Sequence, residues 1–361
     1  MEPAEGAEDW RASPLWRAAE RLARYLLAPH AAEVDASTVP RTHLDAFGQA
    51  GLLGIAAPGE DGGSDAPPAL ARRIQQVLAG ADCATWFVSA QHHGTVRMVA
   101  DSNAECRPEL LRRLVTGEQI AGTAFAHLRR WPDRPVEAER VSGGWRFTGD
   151  APWFTGWGLN DVCALGGATT DGEVVFGIID ARPQPGLMAS DPIRMAAMTA
   201  TRTVRLRFDE LVVPDSHIVS RTPIEPWLRS DRRQTVNPNP AVFGVTEAAI
   251  RHLATRSEDA DLAVGVAAAH RLGERLAAAQ AEADRLLDHV PPDEAHDERL
   301  AFRAEVQRLM VDATTALVVA GAGRSLTLTD PAQRLAREAA FLLVQAQTRP
   351  AREVLLRQWV S

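Results

Sequence analysis

Apolar and polar positions along the chain change period twice. Up to about residue 118 the spacing is helical. Trp16, Ala19, Leu22, Ala23, Leu26 and Leu27 form one stripe, which predicts an amphipathic helix over 16–27. Thr42–Ala50 predicts a second helix, stopped by Gly51, and Gly51–Ser64 (GLLGIAAPGEDGGS) is a short apolar run ending in a Gly-rich turn. Further helices are predicted over Pro67–Gly80, over the nearly unbroken apolar run Ala84–Met98, and over Pro108–Thr116, with Pro in its first turn and Gly117 at its end.

From about 119 to 220 the period shortens to two. Gly144–Thr148 (GWRFT) alternates up to an expected turn at Gly149-Asp150. Asp161–Gly166, Val174–Ile179 and Thr203–Phe208 read as further strands. In the last of these Val204, Leu206 and Phe208 face one side and Arg205 and Arg207 the other. Strands at this spacing without intervening helices predict an antiparallel barrel or sandwich. Residues 221–240, rich in Pro and Arg, read as a linker. Helical spacing then returns over Ala241–Arg256, Leu262–His289, Asp297–Ala322 and Pro331–Trp359, which predicts a bundle of antiparallel helices.

Composition narrows the function classes. The 361 residues carry 39 basic and 47 acidic side chains, a net charge of −8, which argues against general nucleic-acid binding. Every basic residue is arginine. Without lysine there is no Schiff base, no P-loop lysine and no lysine general base, which excludes pyridoxal-phosphate enzymes, P-loop NTPases and lysine-dependent aldolases. Cys83, Cys106 and Cys163 are too few and too scattered for a disulfide framework or a zinc site. His92-His93 resembles a metal-ligand fragment, but adjacent helical residues diverge by about 100° and rarely share a metal, so packing is the expected role. No metal is expected. No apolar run reaches the ~18–20 residues of a membrane span, and the N-terminus (MEPAEGAEDW) is too acidic for a secretory or transit signal. A cytoplasmic protein is the expectation.

The order helical, β, helical, taken with four local strings, resembles the acyl-CoA dehydrogenase superfamily. The strings are GLLGIAAPGEDGGS (51–64), GGWRFTGDAPWFTGWG (143–158), RLRFDELVVPDSHIV (205–219) and TDPAQRLAREAAFLLVQAQT (329–348). The resemblance implies an α+β fold: an N-terminal helical domain (1–118), a middle antiparallel β-barrel domain (119–220) and a C-terminal four-helix bundle (221–361). It implies FAD as cofactor, an acyl thioester as substrate, and a homodimer or homotetramer, possibly including a related subunit.

Several residues carry family roles by this resemblance. Trp153 stands where an aromatic packs on the isoalloxazine, and Thr155 where a hydroxyl bonds near its N5; Trp157 either lines the pocket or does not. In the preceding loop, AGTAFAHLRRWPDR (121–134), Thr123 lies near the flavin. There His127 is either a general base or flavin contact, or a loop histidine without a role. Arg129 and Arg130 are either phosphate contacts or a solvated face. Arg256 retains a dinucleotide-binding arginine, but its usual Phe-Gly is missing from HLATRSEDADLA (252–263), so FAD is expected to bind weakly. The family's catalytic Glu falls on Ala346, within VQAQT (344–348). The alternative position on the first bundle helix falls near Gln234, with Glu225 and Glu247 at a distance. Asp330 reads as an N-cap, and Arg334, Arg337 and Glu338 as a structural ion-pair group.

Three functions fit these residues. The first is a flavin-dependent oxidoreductase of acyl thioesters with a degenerate active site, whose base is unconventional or supplied by a partner. The second is a flavin-dependent monooxygenase on the same fold, and the third a non-catalytic paralogue or partner subunit.

Overall fold

A computed structural model describes residues 10–360; the acidic stretch read above as no signal lies almost wholly outside them. The N-terminal part holds helices α1 (Pro14–Leu22), α2 (Ala28–Ala36), α3 (Arg41–Gln49), α4 (Pro68–Ala81), α5 (Cys83–Ala100) and α6 (Arg107–Thr116). The stripe expected over 16–27 runs on to Ala36. A π-helical turn, Ala23–Leu27, joins α1 to α2 just before Pro29, whose missing N–H and bulky ring the wider turn accommodates.

The middle part is one sheet of eight strands: β1 (Ala121–Ala124), β2 (Val136–Val141), β3 (Gly144–Phe154), β4 (Val162–Ala168), β5 (Glu173–Asp180), β6 (Leu187–Ala189), β7 (Val204–Pro214) and β8 (Ile218–Pro223). Their order is β6-β7-β3-β2-β4-β5-β8, with β1 beside β4. The expectation of a purely antiparallel barrel needs correction. β1 and β2 both pair with β4 in parallel, because the chain leaves β1 through a 3₁₀ turn, Ala126–Arg130, and re-enters the sheet in the same direction. β3 also runs through the expected turn at Gly149-Asp150. The register against β7 slips there, and Gly149 at φ +131° forms a bulge rather than a reversal. The alternation in β7 is as read: Val204, Leu206 and Phe208 are buried and both arginines exposed.

The C-terminal part comprises α7 (Ile224–Thr235), α8 (Pro240–Asp259), α9 (Ala263–Asp284), α10 (His296–Ala320), α11 (Pro331–Val344) and α12 (Arg349–Arg357). The segment read as a linker over 221–240 is therefore the end of β8 and a helix. Ile224, Trp227 and Leu228, at helical spacing, pack on the sheet, and the Arg-rich composition is the outward face of α7. The last predicted helix, 331–359, is two helices. It breaks after Val344, where Ala346 adopts a left-handed φ of +49°. Asp330 caps α11 through the Ala332 N–H (2.9 Å). The Arg334–Glu338 pair (2.7 Å) is buried, and Arg337 reaches across to Asp35 (2.5 Å).

The two helical parts share one core. Leu78 and Ile74 of α4 belong with Val242 and Val245 of α8 to a single apolar cluster. Backbones touch there: a Cβ on Gly80 would lie 2.5 Å from the Gly244 carbonyl oxygen, and one on Gly244 would lie 2.0 Å from that of Gln76. The faces of the helical parts and of the sheet are thereby held at a fixed relation, with a cavity between them.

Candidate active site

That cavity measures about 680 Å³. Four elements carry most of its wall. One face of α5 supplies Phe87, Ala90, Gln91 and Gly94, at i, i+3, i+4 and i+7. The sheet supplies Thr123 of β1 and Trp153 of β3, with Thr155 just past the end of β3 and Thr203 just before β7. The end of α7 supplies Asp231 and Gln234, and the break after α11 supplies Gln345 and Ala346.

Of the residues singled out in the sequence, Trp153, Thr155, Thr123, Ala346, Arg129 and Gln234 all meet here. Trp153 is 55% exposed, so an indole stands uncovered within a concave site. Thr123 donates its hydroxyl proton to Gln91 Oε1 (2.9 Å). Thr155 is buried and 3.2 Å from the hydroxyl of Thr203, which is 2.9 Å from that of Thr201.

The other singled-out residues lie elsewhere. His127 is buried beside the sheet with Nε2 at 2.8 Å from the Gly166 carbonyl, to which it donates. Burial pushes its pKa down to about 4, so at neutral pH the imidazole is uncharged, and it does not line the cavity. Glu247 and Glu225 are exposed on α8 and α7 and also stand away from it. None of the three supplies a base at the cavity wall. Arg256 is committed to Asp330 (2.9 Å to each oxygen) and to the Ser325 hydroxyl (3.0 Å), so its charge is already matched. Trp157 packs edge-on against Phe154 (centroids 6.0 Å apart) outside the cavity. Arg130 faces Asp133 at the surface. His92 is a core link: its Nε2 donates to the Leu114 carbonyl (3.1 Å) and its Nδ1 accepts from the Ala121 N–H (3.0 Å).

Two charged residues of the wall escape a linear reading. Asp231 accepts two hydrogen bonds from Arg129 (2.7 and 2.8 Å), and it is the one carboxylate in the lining. Its signal was its place one helical turn before Gln234. Arg303 of α10 is 5% exposed and donates to the carbonyls of Thr235, Gln345 (3.2 Å) and Ala346 (3.4 Å). It thereby ties the C-terminal ends of α7 and α11 together, where the helix dipoles favour a cation. Burial, then the neighbouring Arg129, lowers its pKa to about 10. Its signal was an arginine at 303 four residues after Arg299, both on the buried stripe of α10.

The arrangement suits a planar aromatic ligand. The Trp153 indole offers a stacking face, Phe87, Met195, Phe341 and Val344 offer apolar surface, and Thr155, Gln91 and Asn239 offer polar edges. It does not offer an unpaired carboxylate. Among the described residues no group of three or more His, Cys, Asp or Glu side chains could hold a metal ion, and no helix is long and apolar enough to cross a membrane.

Helical, β and helical parts around a central aromatic-lined cavity define the class to which the chain's similarities point. Residues 13–118 match the family described as acyl-CoA dehydrogenase, N-terminal domain. The chain is similar to the benzylmalonyl-CoA dehydrogenase of Aromatoleum aromaticum, at 25% identity over 201 residues, 54% of this chain and 53% of that protein. It is also similar to the L-prolyl-[peptidyl-carrier protein] dehydrogenase of Pseudomonas fluorescens, at 30% over 188 residues, 46% of this chain and 47% of that one. It thus aligns with about half the length of these curated relatives. A glutaryl-CoA dehydrogenase of Mycobacterium smegmatis, solved in complex with FADH2, superposes with a TM-score of 0.81 at 16% identity, covering 98% of this chain and 94% of that one. Residues 13–118 thus match the acyl-CoA dehydrogenase N-terminal domain, and the chain as a whole has the acyl-CoA dehydrogenase fold.

Proposed function

We propose that the chain is a flavin-dependent oxidoreductase acting on an acyl thioester, with an active site that lacks the usual carboxylate base. The observation that carries this is the convergence of Trp153, Thr155, Thr123 and Ala346 on one cavity. A flavin there would supply a two-electron acceptor. The chain's own residues would stack its ring (Trp153), bond its polar edge (Thr155, Thr123) and keep water from its face (Phe87, Met195, Phe341). The dinucleotide tail has less to hold it, since Arg256 is paired with Asp330. FAD bound weakly is the expectation that follows.

The degenerate base rests on Ala346, whose side chain is a methyl group, and on Asp231, whose charge is matched by Arg129. This also supports a second reading, a monooxygenase that uses reduced flavin and dioxygen and needs no α-proton base. A dimer or tetramer is the proposed assembly, supported by the exposed apolar side chains Val264, Val319, Leu326 and Leu328.

The test is titration of the protein with FAD and FMN, followed in the visible spectrum, then anaerobic addition of butyryl-CoA. Flavin binding with slow bleaching, accelerated in Ala346→Glu, supports the oxidoreductase reading. Binding without bleaching, but with oxygen uptake when the flavin is pre-reduced, supports the monooxygenase. A protein that stays colourless with excess of both flavins would refute the two together.

A further inference from the structure

Three charged side chains line the cavity, and two of them are cations: Arg129 and Arg303 stand against Asp231. Asp231 is taken by Arg129, whose Nε and Nη2 reach its two oxygens at 2.8 and 2.7 Å. Arg129 Nη1 donates to nothing among the described residues. Arg303 pairs with no carboxylate among the described residues; its bonds go to the carbonyls of Thr235, Gln345 and Ala346. A guanidinium carries five N–H groups, so these three bonds leave two of them unclaimed. The carbonyls hold the cation in place without cancelling its cost: burial, and then Arg129, lower its pKa to about 10. Buried charges are normally paired, and this one has a second cation for its neighbour.

An amide donor lies beside them. The Ala241 N–H can only donate, and it bonds Asn239 Oδ1 at 2.9 Å, which fixes the oxygen end of that amide. Asn239 Nδ2 therefore donates to Gln345 Oε1 at 3.0 Å. Gln345 Nε2 is left with two protons and no acceptor among the described residues. Gln345 and Asn239 both line the cavity, and Arg303 holds the Gln345 carbonyl at 3.2 Å. Surplus positive charge and an unclaimed amide donor thus share one corner of the cavity.

We infer that this corner binds a carboxylate carried by the acyl group of the substrate. The inference rests on the reading that the cavity takes an acyl thioester. A carboxylate brings the negative charge that the wall lacks and offers acceptors to the unclaimed N–H groups of Arg303, Arg129 and Gln345. An alkyl end would leave those donors out of water and unpaired, and an ammonium end would meet two like charges. Asp231 opposes the ligand's charge, so it sets how strong the preference is.

The test is isothermal titration calorimetry of the full chain in excess FAD, with thioesters matched in carbon number. Glutaryl-CoA is compared with pentanoyl-CoA, and adipyl-CoA with hexanoyl-CoA. Charge-assisted hydrogen bonds are stronger than neutral ones, so in at least one pair the carboxylate should bind roughly tenfold or more tightly. Gln345→Leu removes the amide donor and should cut that preference by roughly fivefold. Asp231→Asn removes the opposing charge and should widen it.

Equal affinities within both pairs overturn the inference alone, as does a preference that Asp231→Asn leaves unchanged or narrows. If Asp231→Asn does not fold, Gln345→Leu decides, and an unchanged preference in that variant overturns the inference equally. Wild-type protein that binds none of the four thioesters overturns the inference together with the thioester reading.

Discussion

Replacing Ala346 by glutamate tests the site most directly. An α-proton beside a thioester is a poor acid, and its removal together with hydride transfer needs a base within hydrogen-bond reach. At the position where the family resemblance places that base, this chain has a methyl group. The backbone imposes no new obstacle: Ala346 already sits at φ +49°, where any residue with a Cβ costs roughly 1–2 kcal/mol, so glutamate inherits that cost and adds little. Room is available, since Ala346 lines a cavity of about 680 Å³. The Arg303 guanidinium, 3.4 Å from the Ala346 carbonyl, would favour the ionised carboxylate. Its pKa should then lie at or below the ordinary ~4.3, so the base is present above about pH 5 and is lost by protonation below that. Positioned general-base catalysis contributes about 10²–10⁴-fold, or roughly 3–5 kcal/mol of barrier. The same arginine lowers basicity, which favours the lower end. The expected result is an approximately hundredfold faster anaerobic bleaching of bound flavin by butyryl-CoA in Ala346→Glu. Ala346→Gln, equal in size but neutral, should stay at the wild-type rate. Equal rates in the Glu and Gln variants, or wild-type bleaching already as fast as Ala346→Glu, would refute the reasoning about the missing base.

Other consequences concern stability and assembly. Arg299 is buried and donates to Asn237 Oδ1 (2.8 Å) and to the carbonyls of Leu286 (2.7 Å), Val290 (2.9 Å), Glu294 (3.0 Å) and Pro291 (3.2 Å), so Arg299→Met should destabilise the fold by about 3 kcal/mol or more, read as a lower urea midpoint. His127 is held neutral when folded, with its pKa lowered by burial to about 4, while the unfolded chain binds a proton near 6.5. Its contribution to stability is therefore lost as pH falls from about 6.5 towards 4, at up to ~1.4 kcal/mol per unit, and His127→Gln should flatten the acid limb of the stability profile by that share. Light scattering at micromolar concentration should report a dimer or tetramer, and a monomer would contradict the proposed assembly.

The hydrophobic pattern by itself determined the order of the three parts and most of their elements. Burial selects spacing directly: a helix that lays one face on a core must repeat near 3.6, as in α4, and a strand with one wet face must repeat at two, as in β7. Resemblance of the surrounding strings to the acyl-CoA dehydrogenase superfamily singled out Trp153, Thr155 and Ala346, and all three line the cavity. The local pattern misjudged α7, where the arginines of the outward face masked Ile224, Trp227 and Leu228, and it divided β3 at a glycine that serves a bulge.

What only the tertiary structure decided is which polar groups face one another. Asp231 meets Arg129 from 102 residues away, and Arg303 meets Ala346 from 43, pairings that no spacing encodes because they depend on how helix faces dock on the sheet. His127, attractive as a base in the chain's linear order, is turned to the Gly166 carbonyl and made neutral by burial. The hydroxyls of Thr155 and Thr203 lie 3.2 Å apart although 48 residues separate them, and only the folded backbone brings those atoms together. Hydrophobic burial is non-directional and leaves its mark in sequence period, whereas hydrogen bonds and ion pairs are directional and are settled only when the elements have packed.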